Sequence, residues 1–238
     1  MNKRIWELDA LRGLCLLGVV AVHLIFDLTE LYGIVKWEAP DWFMFLQSWG
    51  GVIFLLISGI CVTLGSRSVR RGIVVFGCGL LISAVTWVMY AHLDFHRSVL
   101  IYFGVLHCLG TCMILWPLFK KWPAWLLGLL AVILTGVGFW ANEQTVNTPW
   151  LVPLGFTFRG FSTADYFPLL PHLGFFLMGA VLGKTLYARK QTLFPKINEN
   201  NPLLRFLRAC GRHSLWIYLL HQPILSAICL PLTLSCNK

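Results

Sequence analysis

The chain has 238 residues, of which 58% are hydrophobic and only 12% are charged. An ordinary soluble domain carries about twice this charged fraction, so the composition excludes that class and indicates a protein of the lipid bilayer. The net charge of +9 is what basic cytoplasmic loops produce in a membrane protein, and it therefore requires no nucleic acid as a partner.

Apolar segments close to the length of about 20 residues that crosses a bilayer recur along the chain. They predict an all-α, polytopic membrane helix bundle of about seven transmembrane helices, in a single domain over residues 1–238. No exit site of small residues follows the first apolar segment, so we expect it to remain as the first helix. The predicted helices are Leu11–Leu31, Trp42–Leu64, Gly72–Ala91, Val99–Phe119, Trp122–Ala141, Phe167–Tyr187 and about Ser214–Leu234.

Basic residues orient this bundle, because most of them fall at alternate connections between the apolar segments. Arg67, Arg70, Arg71, Lys120 and Lys121 lie in two of these connections, and further basic residues lie in the connection before the last helix. The positive-inside rule then places the N-terminus in the cytoplasm. The last of these connections also predicts a short amphipathic helix, since apolar and basic residues alternate over residues 203–208.

Ionisable residues lie within the first apolar segment. Arg12 stands near its start, and His23 and Asp27 stand toward its far end. A charged group inside hydrocarbon costs roughly 2.5–3.5 kcal/mol on insertion scales, so a chain that keeps such groups generally uses them. His23 and Asp27 share one helix face, and a carboxylate beside an imidazole makes the ring a better general base. A structural pair that bridges two helices is the alternative.

Other predicted helices add polar side chains. His107 lies within the fourth helix, His172 near the start of the sixth, and His221 and Gln222 within the seventh. Each histidine alone fits an interior hydrogen-bonding role, whereas histidines on several helices favour a shared polar site. Because histidine is a common axial ligand of haem, a haem site remains an alternative.

The cysteines predict no metal centre. Cys108 and Cys112 are one helical turn apart, yet buried thiols of this kind usually behave as small apolar side chains. Cys229 and Cys236 lie near the outer end of the last helix, and whether they form a disulfide is left open.

A tight basic cluster follows the second predicted helix. Arg67, Arg70 and Arg71 stand at its cytoplasmic end, and the planar guanidinium group suits phosphate. Basic inner loops alone would also account for them. Ser58 and Gly59 lie above the cluster, where small residues either let helices pack closely or leave room for a thin ligand.

The longest outer segment, Asn142–Phe167, carries two charged residues that we single out. Connections of this length in compact folds are often lids or binding loops. Arg159 and Asp165 are therefore predicted either to bind a polar substrate or to pair with each other.

Five motifs in matching order resemble the bacterial proteins that are related to the catalytic domain of heparan-α-glucosaminide N-acetyltransferase. The resemblance covers most of the chain, and the ordered set is more specific than any single motif. The motifs are ELDALRGLCLLGVVAVHLIFDL, FLLISGICVTLGSRSVRRG, GVLHCLG, PLLPHLGFFLMGAVLGK and GRHSLWIYLLHQPIL.

This resemblance implies an acyl-CoA-dependent O- or N-acyltransferase of the bacterial inner membrane. It would move an acetyl group from cytoplasmic acetyl-CoA to a glycan amine or hydroxyl at the outer face. His23 matches the histidine treated as catalytic in wider relatives. Residues 29–41 contain no histidine, whereas the lysosomal enzyme has its key histidine in that loop, so the acceptor stays open.

The implied scheme gives each candidate residue a role. Arg12, Arg67, Arg70 and Arg71 would hold the CoA phosphates, with the pantetheine arm passing Ser58 and Gly59. His23, held by Asp27, would act as the general base. Donors to the tetrahedral oxyanion and contacts to the substrate would come from His107, His172, His221, Gln222, Arg159 and Asp165.

Different functions stay open at this point. His23 and Asp27 would also serve a proton-coupled small-solute transporter or flippase, and buried histidines would serve a haem-binding electron carrier. The expected partners are the lipid bilayer, a CoA thioester and a polar acceptor, with a homo-oligomer as a further possibility.

Overall fold

The computed structural model describes residues 5–92, 95–199 and 201–236, and within them it is helical without a named strand. The helices are α1 Trp6–Phe26, α2 Asp41–Leu64, α3 Ser68–His92, α4 Val105–Phe119, α5 Ala124–Asn142, α6 Leu169–Thr185, α7 Pro202–Arg212 and α8 Ser214–Cys236. A π-helical turn, Asp27–Leu31, continues α1, and 3₁₀ turns form at Arg97–Val99 and Pro149–Leu154.

The prediction of an all-α polytopic membrane protein is confirmed, because every predicted apolar segment coincides with a helix. By length and composition, five described segments can cross a membrane: Trp6–Thr29, Asp41–Leu64, Ser68–His92, Ala124–Asn142 and Ser214–Pro231. The helices α4 and α6 are apolar but shorter. The count of about seven therefore combines five helices of full membrane length with two shorter ones. The cytoplasmic location of the N-terminus stays a prediction.

Helix boundaries differ from the prediction where capping residues intervene. Helix α4 begins at Val105 and not at Val99, because Gly104 has extended backbone angles and precedes the first helical residue. Pro123 and Pro168 likewise precede the first residues of α5 and α6. Proline has no backbone N–H and fixes its own φ, so it suits a helix start, where that N–H would have no partner within the helix.

The described chain divides into two compact units. Unit 1 comprises Met1–Phe54 and Gln191–Lys238, and unit 2 comprises Leu55–Lys190. The division falls within α2, so the first half of this helix belongs to unit 1 and its second half to unit 2. The prediction of a single domain stays a prediction.

In unit 1, the amphipathic helix α7 lies directly against α1. A Cβ atom added at Gly13 would overlap the carbonyl of Leu207, and one added at Gly211 would overlap the carbonyl of Asp9. Glycine at both positions thus lets the two backbones touch. The helix predicted over residues 203–208 is confirmed, and its Leu203 side chain is exposed.

In unit 2, close backbone contacts also join the second half of α2 to α6. Gly59 faces the carbonyl of Phe176, and Gly179 faces the carbonyl of Leu56. Helix α4 is the most deeply enclosed part of this unit, with both its cysteines fully buried. It packs against α3 and α6, while α5 packs along α6.

The contact between α1 and α7 yields a matched pair of substitutions in one helix. We expect Gly13→Ala to lower the free energy of unfolding by about 1–3 kcal/mol, because the added methyl group overpacks against Leu207. Gly18→Ala should be neutral or slightly stabilising, since no atom lies within 4 Å of its added Cβ and alanine favours the helix. Thermal unfolding in detergent checks both variants, and equal melting temperatures would contradict the packing argument.

Candidate active site

The first and the last helix of the described chain bring four predicted site residues together in unit 1. His23 lies on α1, Asp27 starts the π-helical turn, and His221 and Gln222 lie on α8. Asp27 is completely buried and His221 is 8% exposed. Single π-helical turns are frequent at functional sites. The sequence does not predict this one.

Asp27 is held by an amide and not by the imidazole on its own helix. The Gln222 Nε2 atom donates to both carboxylate oxygens, at 2.9 and 3.1 Å. Within the described residues, the Asp27 carboxylate makes no hydrogen bond to His23. A buried carboxylate must be hydrogen-bonded to be tolerated, and Gln222 supplies those bonds across the two helices. The histidine with which Asp27 interacts electrostatically in the described chain is His221 and not His23.

His221 stands beside His23 and has a defined tautomer. The two ring centroids are 4.8 Å apart, with the ring planes at 64°. The His221 Nδ1 atom lies 2.6 Å from the carbonyl oxygen of Tyr218. A carbonyl oxygen can only accept, so Nδ1 carries the hydrogen and Nε2 of the neutral ring has a free lone pair.

Two hydrogen-bond acceptors among these four residues have no donor. In the described part of the chain, the buried His221 Nε2 and Gln222 Oε1 have no hydrogen-bond partner. Neutral His221 consequently lacks the N–H that an oxyanion would need at Nε2. The contact between the His23 and His221 rings also leaves no space for a haem plane between these two side chains.

His107 belongs to a separate network in unit 2. Its Nδ1 accepts from the Gly104 amide at 3.2 Å, which places the ring hydrogen on Nε2, 3.4 Å from Ser83 Oγ. The Ser83 hydroxyl in turn donates to the carbonyl of Ile101 at 2.6 Å. Both ring nitrogens are thus occupied by protein groups that fasten the start of α4 to α3. Ser83 is the member of this network that sequence reasoning missed.

Asp165 also binds the start of α4. Its carboxylate accepts from the Val105 amide at 2.9 Å, where the helix N-terminus favours a negative group. Burial of the carboxyl raises its pKa to about 6, against the opposing effect of the Val105 hydrogen bond. Arg159 is exposed, and in the described ranges it forms no ion pair with Asp165. A role of either residue in substrate binding stays a prediction.

His172 lies in the same unit at the start of α6. Its Nδ1 atom is 2.7 Å from the carbonyl oxygen of Pro168, and its ring contacts Phe167 at a centroid distance of 4.8 Å. The fully buried thiol of Cys108 points to the same carbonyl at 3.9 Å. The oxyanion role of His172 stays a prediction.

The predicted phosphate-binding arginines lie in unit 2, with Arg67 in the turn between α2 and α3 and with Arg70 and Arg71 in the first turn of α3. Arg67, Arg70 and Arg71 are exposed, and the Arg71 Nε atom donates to the Arg67 carbonyl at 3.4 Å. Ser58 Oγ is buried without a described partner. The backbone of α6 fills the space beside Gly59, so close helix packing explains this glycine. Arg12 lies in unit 1, and its buried Nε has no described partner.

The thiols make no disulfide in the described chain. Cys108, Cys112 and Cys229 are free, and the side chain of Cys236 lies outside the described residues. No group of three or more histidine, cysteine, aspartate or glutamate residues in those ranges is arranged to hold a metal ion.

Fold and site together define an integral membrane protein with a buried histidine–carboxylate cluster between two helices of membrane length. Residues 4–223 match the family model of the catalytic domain of heparan-alpha-glucosaminide N-acetyltransferase. The chain belongs to this family of transmembrane acetyltransferases, and the resemblance of its motifs is confirmed. Among curated proteins and among solved structures, no match was found.

The position of Asp165 predicts a pH-dependent stability. Its folded pKa of about 6 exceeds the unfolded value of about 3.9, so its contribution is present below pH 4 and is lost as the pH rises through 6. Asp165→Asn keeps an acceptor for Val105 and removes this loss. We expect the free energy of unfolding of Asp165→Asn to exceed that of the wild type by about 1 kcal/mol at pH 8. At pH 4 the two free energies should be equal.

Asp165→Ala is the control for the hydrogen bond, because it leaves the Val105 amide without that acceptor. We expect it to be less stable than Asp165→Asn at every pH. Denaturation in detergent from pH 4 to pH 8 measures these differences, and parallel curves for Asp165→Asn and the wild type would contradict the assignment.

Proposed function

We propose that the protein is a transmembrane acyltransferase of the bacterial inner membrane. It moves an acetyl group from cytoplasmic acetyl-CoA to an amine or hydroxyl of a glycan, or of another polar acceptor, at the outer face. The observation that carries this proposal is the contact of half-buried His23 with buried His221 near the buried Asp27, in a chain of an acetyltransferase family.

His23 is the general base of the proposed reaction. It takes the proton from the attacking N–H or O–H group while that nitrogen or oxygen bonds to the thioester carbonyl carbon. The carbon–sulfur bond then breaks, and the CoA thiolate leaves and receives a proton. Asp27 supports this step, because a nearby negative charge favours the protonated form of an imidazole.

The donor is held by arginine. Arg67, Arg70 and Arg71 are exposed and close in sequence, and their guanidinium groups match the phosphates of CoA in charge and geometry. Arg12 is a further candidate, since its buried Nε has no described protein partner. Ser58, with an unfilled buried hydroxyl, is a candidate contact for the pantetheine arm.

A proton-coupled transporter or flippase is the second candidate. The buried Asp27 and the two adjacent imidazoles are groups that a proton relay also uses. Proteoliposomes separate the two functions, because an acyltransferase requires an acyl-CoA and releases CoA, whereas a transporter carries its solute without either.

Replacement of the base tests the mechanism. We expect His23→Ala to lower the rate of labelled acetyl transfer by at least about 100-fold, which is the usual contribution of general-base catalysis. Transfer from labelled acetyl-CoA in proteoliposomes measures this, with the melting temperature as the check on folding. His92→Ala is the matched control, since His92 is an exposed histidine at the end of α3. Undiminished transfer by His23→Ala would remove His23 from the mechanism.

Replacement of the arginines tests donor binding. We expect Arg67, Arg70 and Arg71 changed together to glutamine to raise the Kd for CoA by at least about tenfold, a loss of about 1.4 kcal/mol. Arg189, Lys190 and Lys196 are exposed on another segment, and their joint replacement removes the same charge. Calorimetric titration with CoA compares the two triple variants, and equal affinities would exclude a specific phosphate site at the α2–α3 turn.

A further inference from the structure

We propose that His221 is the positioning residue of the base, and that its Nε2 accepts a hydrogen bond from the N–H on the ring nitrogen of His23 that does not take the substrate's proton, a bond that strengthens when His23 is protonated. The sequence suggests Asp27 for this role, as the neighbour of His23 on α1. This inference rests on the proposed function, because it presupposes that His23 takes up a proton during the reaction.

The direction in which His221 can act is set by Tyr218. The bond of 2.6 Å from Nδ1 to the Tyr218 carbonyl holds both the ring orientation and the tautomer, so the lone pair remains at Nε2. Such a bond from one ring nitrogen to a backbone carbonyl determines what the other nitrogen can do. His221 is thus preset as an acceptor.

The acceptor at Nε2 has no donor in the described chain. His221 is 8% exposed and its Nε2 is buried, so water does not satisfy it in this state. An unfilled buried acceptor costs about 1–3 kcal/mol. His23 is the neighbouring polar ring, 4.8 Å away between centroids, and as an imidazolium it carries an N–H on both nitrogens. Protonation of His23 therefore makes the N–H of its second ring nitrogen a charge-assisted and stronger donor to this unfilled acceptor.

Asp27 cannot fill this positioning role while Gln222 holds it. The Gln222 amide binds both of its oxygens, and the carboxylate contributes its negative charge to the protonated pair. The other titratable groups around the pair are Tyr218, whose ring lies 5.3 Å from that of His221, and Cys229, which interacts electrostatically with Asp27.

The proton count of the step is simple. The acceptor loses one proton to one nitrogen of His23, and the N–H of the other nitrogen donates to His221 Nε2 without transfer. No bond to His221 forms or breaks. The proton on His23 then leaves for the CoA thiolate, which restores two neutral rings.

The test compares His221→Phe, which keeps a ring without an acceptor, with His221→Gln, whose amide oxygen can accept. We expect His221→Phe to lower kcat by at least about tenfold with an unchanged KM for acetyl-CoA, and to move the acid limb of the rate profile to lower pH, because the imidazolium of His23 loses its acceptor. His221→Gln should recover part of both effects. His92→Phe serves as the control, and melting temperatures report folding.

A second measurement does not depend on turnover. Histidine labelled with ¹³C and ¹⁵N lets the titration of His23 be followed by NMR in the wild type and in both variants. We expect its midpoint to move to lower pH in His221→Phe and to return toward the wild-type value in His221→Gln. An unmoved midpoint in a folded His221→Phe overturns the proposal.

The two measurements separate this inference from the proposed function. Acetyl transfer with an unmoved midpoint refutes the role of His221 and leaves the acyltransferase standing. A moved midpoint in a protein that transfers no acetyl group supports the histidine pair and refutes the acyltransferase.

Discussion

The hydrogen bonds between the buried carboxylate of Asp27 and the amide of Gln222 are the contact on which the site depends. They join α1 to α8 over 195 positions of sequence. A carboxylate in this setting is tolerated only while it is hydrogen-bonded, so the position of Asp27 requires α8 to be in place. The same contact brings His221 beside His23. Because Gln222 binds Asp27, neither imidazole is hydrogen-bonded to the carboxylate in the described chain, and the two rings contact each other.

Much of the fold could be predicted from the sequence. Helices in a bilayer need long apolar segments, and each predicted segment did become a helix. Helix boundaries were harder to predict. The start of α4 is set by Gly104 and by the carboxyl group of Asp165, which caps the helix from another part of the chain. A tertiary cap of this kind leaves no local pattern.

The site was partly predictable for the same physical reason. The high cost of polar groups in hydrocarbon singled out His23, Asp27, His221 and Gln222, and the structure brings these four together. Their pairing was not predictable. Spacing along α1 pointed to a His23–Asp27 pair, whereas the carboxylate binds Gln222, a residue 195 positions away on α8 that local spacing does not reveal. The roles of the arginines and histidines in acyl transfer stay proposals.

Unit 1 is assembled from segments that leave the ribosome far apart in time. Helix α1 emerges early, yet its partners α7 and α8 are synthesised only after the whole of unit 2. At translation rates of about 5–20 residues per second, roughly ten seconds or more pass between the synthesis of α1 and that of its partners. During this time the face of α1 at Gly13, together with His23 and Asp27, lacks its contacts with α7 and α8. Until the final helix arrives, these groups lack the partners that satisfy them in the folded protein, and nascent chains stalled before Ser214 should therefore carry no site.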